Sequence, residues 1–318
     1  MVKRVHSISL VDRLLDLKYD YSDIMNPVPR GPGVKHTMGR HLYDNEHTSD
    51  CVFMSCGGAI QAVEAVMKDR VKTAFANIRP PGHHASNQDI GGFCFINNAA
   101  VAARYALDDL GANKVIVFDW DVHHGNGTQD IFQDDERVMY LSIHRYDNGG
   151  YYPYMCKSSG EYFGVGEGKG FSFNVGWNTE EIGKESLIGD GDYKLAFDNV
   201  IWPLAESFNP DLIIVSAGFD AMKEDPLGKL SVSENVYAYM TKQLMTCGEG
   251  KLVLLLEGGY NLETMSRGAV TCIKTLLGQP IGVDLETYDP VFSELGFEAV
   301  QTTNKVVKEY WDIPELEI

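Results

Sequence analysis

From about Thr73 onward, short apolar runs alternate with polar or glycine-rich breaks and with segments of helical spacing. Each run is apolar almost throughout, which is typical of a strand that is covered on both faces in a parallel sheet. The six runs occupy residues 73–78, 114–119, 137–144, 171–177, 212–218 and 251–259. The pattern predicts an α/β protein with a mostly parallel central sheet flanked by helices.

Helical spacing of apolar residues marks the longer segments between these runs. The clearest examples are residues 97–111, 192–208 and 264–278. Gly111 is a stop signal for the first of them, and Pro203 should kink the second. The stretch from Tyr19 to His47 is loop-rich instead. Because no repeat, low-complexity tract or linker interrupts the chain, we expect a single domain over residues 1–318.

Composition and charge exclude several classes of function. With 44% hydrophobic and 23% charged residues the chain is ordinary for a globular protein, but its formal charge of −18 opposes binding to nucleic acid phosphates. That charge suits a basic, lysine-bearing peptide partner. No apolar stretch approaches the ~20 residues of a membrane span, and Met1 to Asp12 lacks the apolar centre of a signal peptide. We therefore expect a soluble, intracellular protein.

The six cysteines are scattered and contain no C-x-x-C pair. This spacing disfavours both a disulfide framework and a zinc knuckle. We expect reduced thiols that act mostly as packing residues.

Unusual polar residues follow five of the six runs. These breaks read RPPGHH, DWDVHHGNG, HRYDNGGYYP, FDAMKEDP and GGY, and five of the nine histidines lie between His83 and His144. Ligands bind beyond the carboxyl ends of the strands in open parallel sheets. The breaks should therefore converge on one crevice.

The second break carries the pattern of a metal site. Asp119, Asp121 and His123 alternate directly after a run, so an extended backbone would place them in one row. Carboxylate and imidazole ligands suit zinc above all, and a catalytic zinc typically takes three protein ligands. Asp220 also follows a run and is the best third ligand, whereas Asp225 resembles a turn residue. Asp119 would then orient a histidine from outside the ligand set.

Each of these residues alone has an ordinary structural explanation, such as a helix cap, a turn or a packed histidine pair. Their joint occurrence at successive strand ends favours a metal-centred hydrolytic site. Two histidines could serve as general base and general acid, and Tyr260 after Gly258 and Gly259 could donate to an oxyanion. Such a set is typical of amide hydrolysis.

The blocks that carry this chemistry resemble those of zinc-dependent histone deacetylases, in the class II form. They are RPPGHHA, GFCFINN, DWDVHHGNGTQ, LSIHRYD, SAGFDA, DPLG and LEGGYNL, and they occur in the order typical of the family. The resemblance implies an arginase-like α/β fold. It also implies zinc-dependent hydrolysis of N6-acetyl-lysine in proteins, with release of acetate.

The resemblance also implies roles for particular residues. It implies that zinc is held by Asp121, His123 and Asp220. It implies that His83 and His84 form an acid/base pair, which Asp119 and Asn126 orient. It also implies that Tyr260 polarises the substrate carbonyl. How the proton transfers divide between the two histidines stays open.

Substrate-binding residues follow from the same resemblance. Phe93 and Tyr152 match an aromatic slot around the acyl-lysine stem, and the carbonyl of Gly92 matches an acceptor for the substrate amide. Monovalent-cation sites of the family use backbone carbonyls around Asp119, Asp121, His123 and Ser142, which makes potassium a candidate structural ion.

In the family a further segment, with a strand and a loop at the pocket rim, precedes the residues that match Val5–Ser7. The resemblance thus predicts a catalytic domain that is shortened at its N-terminal end. It implies acetylated substrates such as histone tails or tubulin, corepressor complexes as partners, and a role in chromatin and transcription regulation. The expected location is the nucleus, the cytoplasm or both.

Three other functions compete with this interpretation. The first is a catalytically weak acetyl-lysine binding module, which Tyr260 disfavours because relatives specialised away from turnover often have His there. The second is an acetylpolyamine deacetylase, in which an acidic residue occupies the position of Leu227. The third is a binuclear manganese hydrolase of the arginase type, which needs more Asp and His ligands.

Overall fold

A parallel six-stranded sheet forms the centre of the computed structural model, which describes residues 1–16, 36–37, 43–45, 47–181 and 184–316. Two short strands, β1 (His36–Thr37) and β2 (Tyr43–Asp44), form a separate antiparallel pair. The central strands are β3 (Thr73–Ala76), β4 (Val115–Asp119), β5 (Val138–Arg145), β6 (Ser172–Trp177), β7 (Leu212–Ala217) and β8 (Leu252–Leu256), in the order β3-β8-β7-β4-β5-β6. Every neighbouring pair is parallel. Each of the six apolar runs is therefore a strand, as predicted.

Helices cover both faces of this sheet. They are α1 (Ile8–Asp16), α2 (Thr48–Met67), α3 (Asn98–Asp109), α4 (Asn126–Phe132), α5 (Asp190–Ala196), α6 (Trp202–Phe208), α7 (Glu234–Leu244), α8 (Leu262–Leu276) and α9 (Glu294–Val307). The predicted helices at 97–111 and 264–278 correspond to α3 and α8. Asn97 caps α3 by accepting a hydrogen bond from the backbone N–H of Ala100, and Gly111 follows the helix with a positive φ of 79°.

In five of the six central strands alternating side chains enter two separate hydrophobic cores, whereas the edge strand β6 contributes only to one of them. In β4, Ile116 and Phe118 pack into the core beneath α5 to α9, and Val115 and Val117 pack into the core beneath α1 to α3. Because both faces of the inner strands are covered, these strands are apolar almost throughout rather than alternating. The predicted α/β class with a mostly parallel sheet is confirmed.

The segment at 192–208 is interrupted, but not by a simple kink. A π-helical turn at Phe197–Ile201 joins α5 to α6, and Pro203 is the second residue of α6. Proline has no backbone N–H for the i→i−4 ladder, so the chain before it must change its hydrogen-bond pattern. The π-helical turn at Phe197–Ile201 is this change in hydrogen bonding.

Helix α2 contradicts the expectation that no apolar stretch approaches the length of a membrane span. Its 20 residues are long and apolar enough by length and composition alone. Val52, Ala59 and Val63 of this helix are nevertheless buried in the core that α2 shares with α3. The core helix of a globular protein passes the same test.

Two smaller expectations concern the cysteines and the loop-rich stretch. All six cysteines are free, and four of them, Cys56, Cys94, Cys247 and Cys272, are buried. They act as packing residues, as expected. Of the stretch from Tyr19 to His47, residues 19–35, 38–42 and 46 lie outside the described part of the chain.

A cavity mutation tests the core between the sheet and the first three helices. Ile214 is fully buried in β7. Ile214→Ala should lower the free energy of unfolding by about 2–5 kcal/mol in urea titrations, because the surroundings cannot fill the space it leaves. Val270 of α8 is 48% exposed, so Val270→Ala should change the free energy of unfolding by less than about 0.5 kcal/mol. Equal effects of the two variants would contradict the assigned core.

Candidate metal and catalytic site

The loops after five central strands meet at one edge of the sheet. The predicted site residues lie in the loops after β3 (His83 and His84), β4 (Asp121 and His123), β5 (Tyr152), β7 (Asp220) and β8 (Tyr260). The rings of His84, His123, Tyr152 and Tyr260 lie near one another, with centroids 5.9 Å apart for His84 and His123. The structure thus brings these side chains together in a single crevice.

Asp121, His123 and Asp220 form a compact buried triad. Their potential ligand atoms all lie within 4.8 Å of one another. Nδ1 of His123 is 3.0 Å from Oδ1 of Asp121 and 3.1 Å from Oδ2 of Asp220. Two strands that are neighbours in the sheet, β4 and β7, therefore supply one donor set.

The row of alternate side chains does not arise from an extended strand, because β4 ends at Asp119. Beyond that residue the backbone bends, and carboxylates bind the backbone two residues further on. Oδ1 of Asp119 accepts from the N–H of Asp121 at 3.2 Å, and Oδ1 of Asp121 accepts from the N–H of His123 at 2.9 Å. These local hydrogen bonds, rather than β geometry, fix the row.

The chemistry of this donor set fits a divalent cation. Burial and the neighbouring Asp121 raise the pKa of Asp220 to about 7, against the opposing effect of His123. Two carboxylates this close need a positive charge to remain ionised away from water. The backbone also closes tightly around them, since a Cβ at Gly258 would lie 2.3 Å from Oδ2 of Asp220 and 2.6 Å from Oδ2 of Asp121. Two carboxylates and one imidazole are ligands that zinc accepts.

The paired histidines have different partners. Nδ1 of His83 is 3.0 Å from Oδ2 of Asp119, and Nδ1 of His84 is 2.8 Å from Oδ1 of Asn126. Burial opposes a charge on His83, but Asp119 and Asp121 outweigh it and hold the pKa of this ring well above its ordinary value. Burial and repulsion from His83 hold the pKa of His84 well below it. The two imidazoles therefore differ in proton affinity, which suits a division of acid and base work.

Tyr260 approaches the triad from the loop after β8. Its ring centroid is 6.5 Å from that of His123 and 5.9 Å from that of Phe93. Burial and the carboxylate of Asp220 raise the pKa of its hydroxyl, so that the hydroxyl stays protonated and can donate. The backbone N–H of Tyr260 donates to Oδ2 of Asp225 at 2.7 Å, which anchors the residue.

The predicted slot residues border the same crevice. Gly92 and Phe93 both have positive φ, 51° and 68°. A Cβ at Gly92 would lie 2.2 Å from Cδ2 of His84, so only glycine fits there. The ring of Tyr152 meets His84 edge-on at 4.9 Å. The Gly92 carbonyl accepts a hydrogen bond from the thiol of Cys94 at 3.3 Å, and its role toward a substrate amide stays a prediction.

A cavity of about 560 Å³ extends from Phe93 and Tyr260 toward the start of α2. Its other lining residues are Asn45, His47, Thr48, Cys51, Arg79, Pro80, Pro81 and Phe95. Phe93 and Tyr260 therefore border both the crevice and this additional space.

Two other histidines belong to the structural interior rather than to the triad. Ring nitrogens of His124 contact Ser158 and Gln129, and those of His144 contact Ser142 and Ser158. Both nitrogens of each ring therefore have protein partners. The potassium site at carbonyls around Asp119, Asp121, His123 and Ser142 stays a prediction.

Sequence reasoning missed three residues that contact the site. Tyr151 lies against His123, with ring planes 11° apart. Asp225, interpreted as a turn residue, does bind the backbone N–H of Leu227, but it also binds that of Tyr260. Glu257 is buried, and its Oε2 accepts from the backbone N–H groups of Gly82 and His83 at 2.6 and 3.1 Å. Only the acidic side chain of Glu257 inside an apolar run gave a signal that could have been followed.

Comparison with known proteins agrees with this geometry. The family model of the histone deacetylase domain matches residues 1–276. The chain belongs to the histone deacetylase family. The crystal structure of the HDA15 HD domain superposes with a TM-score of 0.85 at 36% identity, covering 98% of this chain and 78% of that one. The predicted deacetylase-like fold is confirmed.

Relatives within the histone deacetylase family carry two kinds of name. Histone deacetylase clr3 of Schizosaccharomyces pombe is 40% identical over 314 residues, which are 97% of this chain and 43% of that protein. Polyamine deacetylase HDAC10 of Homo sapiens is 37% identical over 270 residues, which are 85% of this chain and 39% of that protein. The chain spans less than half the length of these relatives. Family membership therefore leaves the substrate class undecided.

The triad generates a prediction about metal content. Purified protein should contain one zinc ion per chain by elemental analysis, and Asp121→Ala, His123→Ala and Asp220→Ala should each lose it because a ligand is removed. Asp12→Ala, at a surface ion pair with Lys3, is the matched control and should keep its zinc. Two manganese ions per chain, or undiminished zinc in all three variants, would rule out this assignment.

Proposed function

We propose that this protein hydrolyses the acetyl amide of N6-acetyl-lysine in proteins and releases acetate. The single observation that carries the proposal is the buried triad of Asp121, His123 and Asp220 beside two histidines of unequal proton affinity. Membership of the histone deacetylase family supports the same chemistry. Zinc is the cofactor that the donor set favours.

When bound by the triad, zinc supplies Lewis-acid chemistry: it lowers the pKa of a water ligand and polarises an amide carbonyl. The chain's own residues manage the protons. His83, held by Asp119, and His84, held by Asn126, together remove a proton from the attacking water and deliver one to the leaving lysine nitrogen. Water adds to the carbonyl carbon, the C–N bond breaks, and acetate and the lysine amine leave.

Tyr260 stabilises the transition state. Its protonated hydroxyl donates to the oxygen that becomes negative as the amide carbonyl is attacked. Phe93 and Tyr152 enclose the apolar stem of the acyl-lysine, and the carbonyl of Gly92 accepts from the substrate amide. Two aromatic rings suit a linker of four methylene groups, which offers apolar surface but no hydrogen bonds.

Leu227 favours a protein substrate over an acetylated polyamine. Its side chain is 43% exposed, and its carbonyl oxygen lies 2.9 Å from the hydroxyl of Tyr151 beside His123. An apolar side chain there provides no counter-ion for the extra ammonium groups of a polyamine. The relatives named polyamine deacetylase nevertheless make acetylpolyamines the second candidate.

The partners in this proposal are acetylated proteins such as histone tails or tubulin, together with corepressor complexes, in the nucleus or the cytoplasm. The formal charge of −18 supports basic peptides over direct contact with nucleic acid. The protein would act in chromatin and transcription regulation.

Removal of one hydroxyl tests the transition-state role of Tyr260. Tyr260→Phe should keep zinc and fold but lower turnover of an acetyl-lysine peptide by about 10²–10³-fold, because the lost donor acts mainly on the developing oxyanion. Tyr105→Phe removes a hydroxyl that contacts Glu64 rather than a residue of the site, and is the control. Near-full turnover by Tyr260→Phe would disprove the role.

Exchange of Leu227 tests the substrate class. The wild-type protein should prefer acetyl-lysine in peptides of varied sequence to acetylspermidine. Leu227→Glu should shift the ratio of specificity constants toward acetylspermidine by about 1–3 kcal/mol, since it supplies a counter-ion.

Two controls separate a local effect from long-range attraction. Leu277→Glu adds the same charge at an exposed leucine beyond the end of α8 and should leave the ratio unchanged. Measurements at high salt screen the general attraction of cations to an acidic protein. A wild-type preference for acetylspermidine at both salt concentrations would disprove protein-lysine specificity.

A further inference from the structure

Tyr151 has no role in the chemistry described so far, yet it contacts a proposed metal ligand. Its hydroxyl oxygen is 3.3 Å from Nε2 of His123 and 2.9 Å from the carbonyl oxygen of Leu227. The rings of Tyr151 and His123 are nearly parallel, with centroids 5.2 Å apart. Asp121 and Asp220 contact the other ring nitrogen of His123, Nδ1.

The direction of these hydrogen bonds follows from the groups involved. The Leu227 carbonyl can only accept, so the Tyr151 hydroxyl donates its proton there and keeps its oxygen as an acceptor. A histidine that binds a cation through Nδ1 carries its remaining proton on Nε2. Nε2–H of His123 therefore donates to Tyr151, and the two bonds form one chain from the triad to the backbone at Leu227.

We propose that Tyr151 is a positioning residue for the metal ligand His123. Its hydroxyl selects the tautomer with the proton on Nε2 and holds the ring so that Nδ1 faces Asp121 and Asp220. The inference rests on the proposed zinc-dependent function. Outer partners of this kind typically contribute about 10–100-fold in metal affinity.

Independent contacts hold Tyr151 in this place. The guanidinium of the fully buried Arg145 lies 4.9 Å from the centre of the Tyr151 ring. Arg145 also donates to Asp147 at 2.7 Å, to Thr179 at 2.8 Å and to the carbonyl of Gly228 at 3.1 Å. Both the tyrosine ring and the chain next to its acceptor are thus attached to the same buried cation.

The acceptor at Leu227 is fixed from a second side. Oδ1 of Asp225 accepts from the N–H groups of Leu227 and Gly228, at 2.8 and 3.0 Å. Oδ2 of the same carboxylate accepts from the N–H of Tyr260 at 2.7 Å. The segment that receives the Tyr151 hydroxyl is therefore the one that anchors Tyr260. The position of His123 depends on the same loop as the position of Tyr260.

Two neighbouring tyrosines allow a matched test. Tyr151→Phe removes the hydroxyl and keeps the ring, while Tyr152→Phe removes a hydroxyl from the next residue, whose ring meets His84 edge-on. The zinc affinity of each protein is measured without substrate, by competition with a chromogenic chelator. Tyr151→Phe should bind zinc at least about tenfold more weakly than wild type, and Tyr152→Phe should stay within about twofold.

The wild-type protein provides a second readout that needs no variant. In zinc-loaded protein with ¹⁵N-labelled histidine, the His123 proton should reside on Nε2 and exchange slowly with solvent. Unchanged zinc affinity in Tyr151→Phe, or rapid exchange of the Nε2 proton with solvent, would overturn the inference. Absence of stoichiometric zinc in wild type would instead overturn the proposed function, so the two failures are distinguishable.

Discussion

Burial of negative charge at the ends of β4 and β7 is the constraint on which the rest of the site depends. The carboxylates of Asp119, Asp121 and Asp220 have no exposed surface. A buried carboxylate is tolerated only when hydrogen bonds or a positive charge replace the water it has lost. Asp220 accepts from the N–H of Val122 at 2.9 Å, and Asp121 accepts from that of Gly258 at 2.9 Å. The loops after β4 and β8 thus take their course from the need to satisfy these oxygens.

This need explains the small residues around the triad. A Cβ at Gly218 would lie 2.1 Å from Oδ2 of Asp121, so the backbone after β7 approaches the carboxylate more closely than any side chain would permit. His83, whose pKa is held well above its ordinary value, adds positive character beside Asp119. Stability and chemistry are therefore linked, because the groups that make the buried charge tolerable are those proposed to bind zinc and transfer protons.

The sequence predicts those parts of the fold whose signals are local. Each central strand is a short apolar run, and α3 and α8 have regular spacing and caps. Helices α2, α7 and α9 were not predicted. The local helical preference of α2 is lowered by Gly57 and Gly58, and that of α7 by its β-branched and aromatic residues. Packing against the sheet, rather than local preference, makes them helical.

The residues of the site also divide into those that local sequence signals predict and those that only the folded structure reveals. The proposed metal ligands and Tyr260 closely follow strands and were predicted from that position, whereas the roles of His83 and His84 followed from the family resemblance. The supporting contacts were not predicted, because the hydrogen bond between Tyr151 and Leu227 spans 76 residues of chain and that between Gly82 and Glu257 spans 175. No local pattern identifies the partner of such a residue, even for Glu257, which stands out as an acidic side chain inside an apolar run. Only a folded chain brings the two together.

The strand order links formation of the site to folding of the central sheet. Asp121 and Asp220 follow strands that pair directly, with Asp119 opposite Ser216, although β5 and β6 intervene along the chain. Pairing of such distant strands must overcome a large loop-closure entropy before any contact repays it, so it belongs among the slow events of folding. A nascent or partly unfolded chain therefore holds isolated aspartates and histidines rather than a weak version of the triad. If the triad binds zinc as proposed, cation binding and folding of the sheet would be coupled, and the bound metal would stabilise the folded chain.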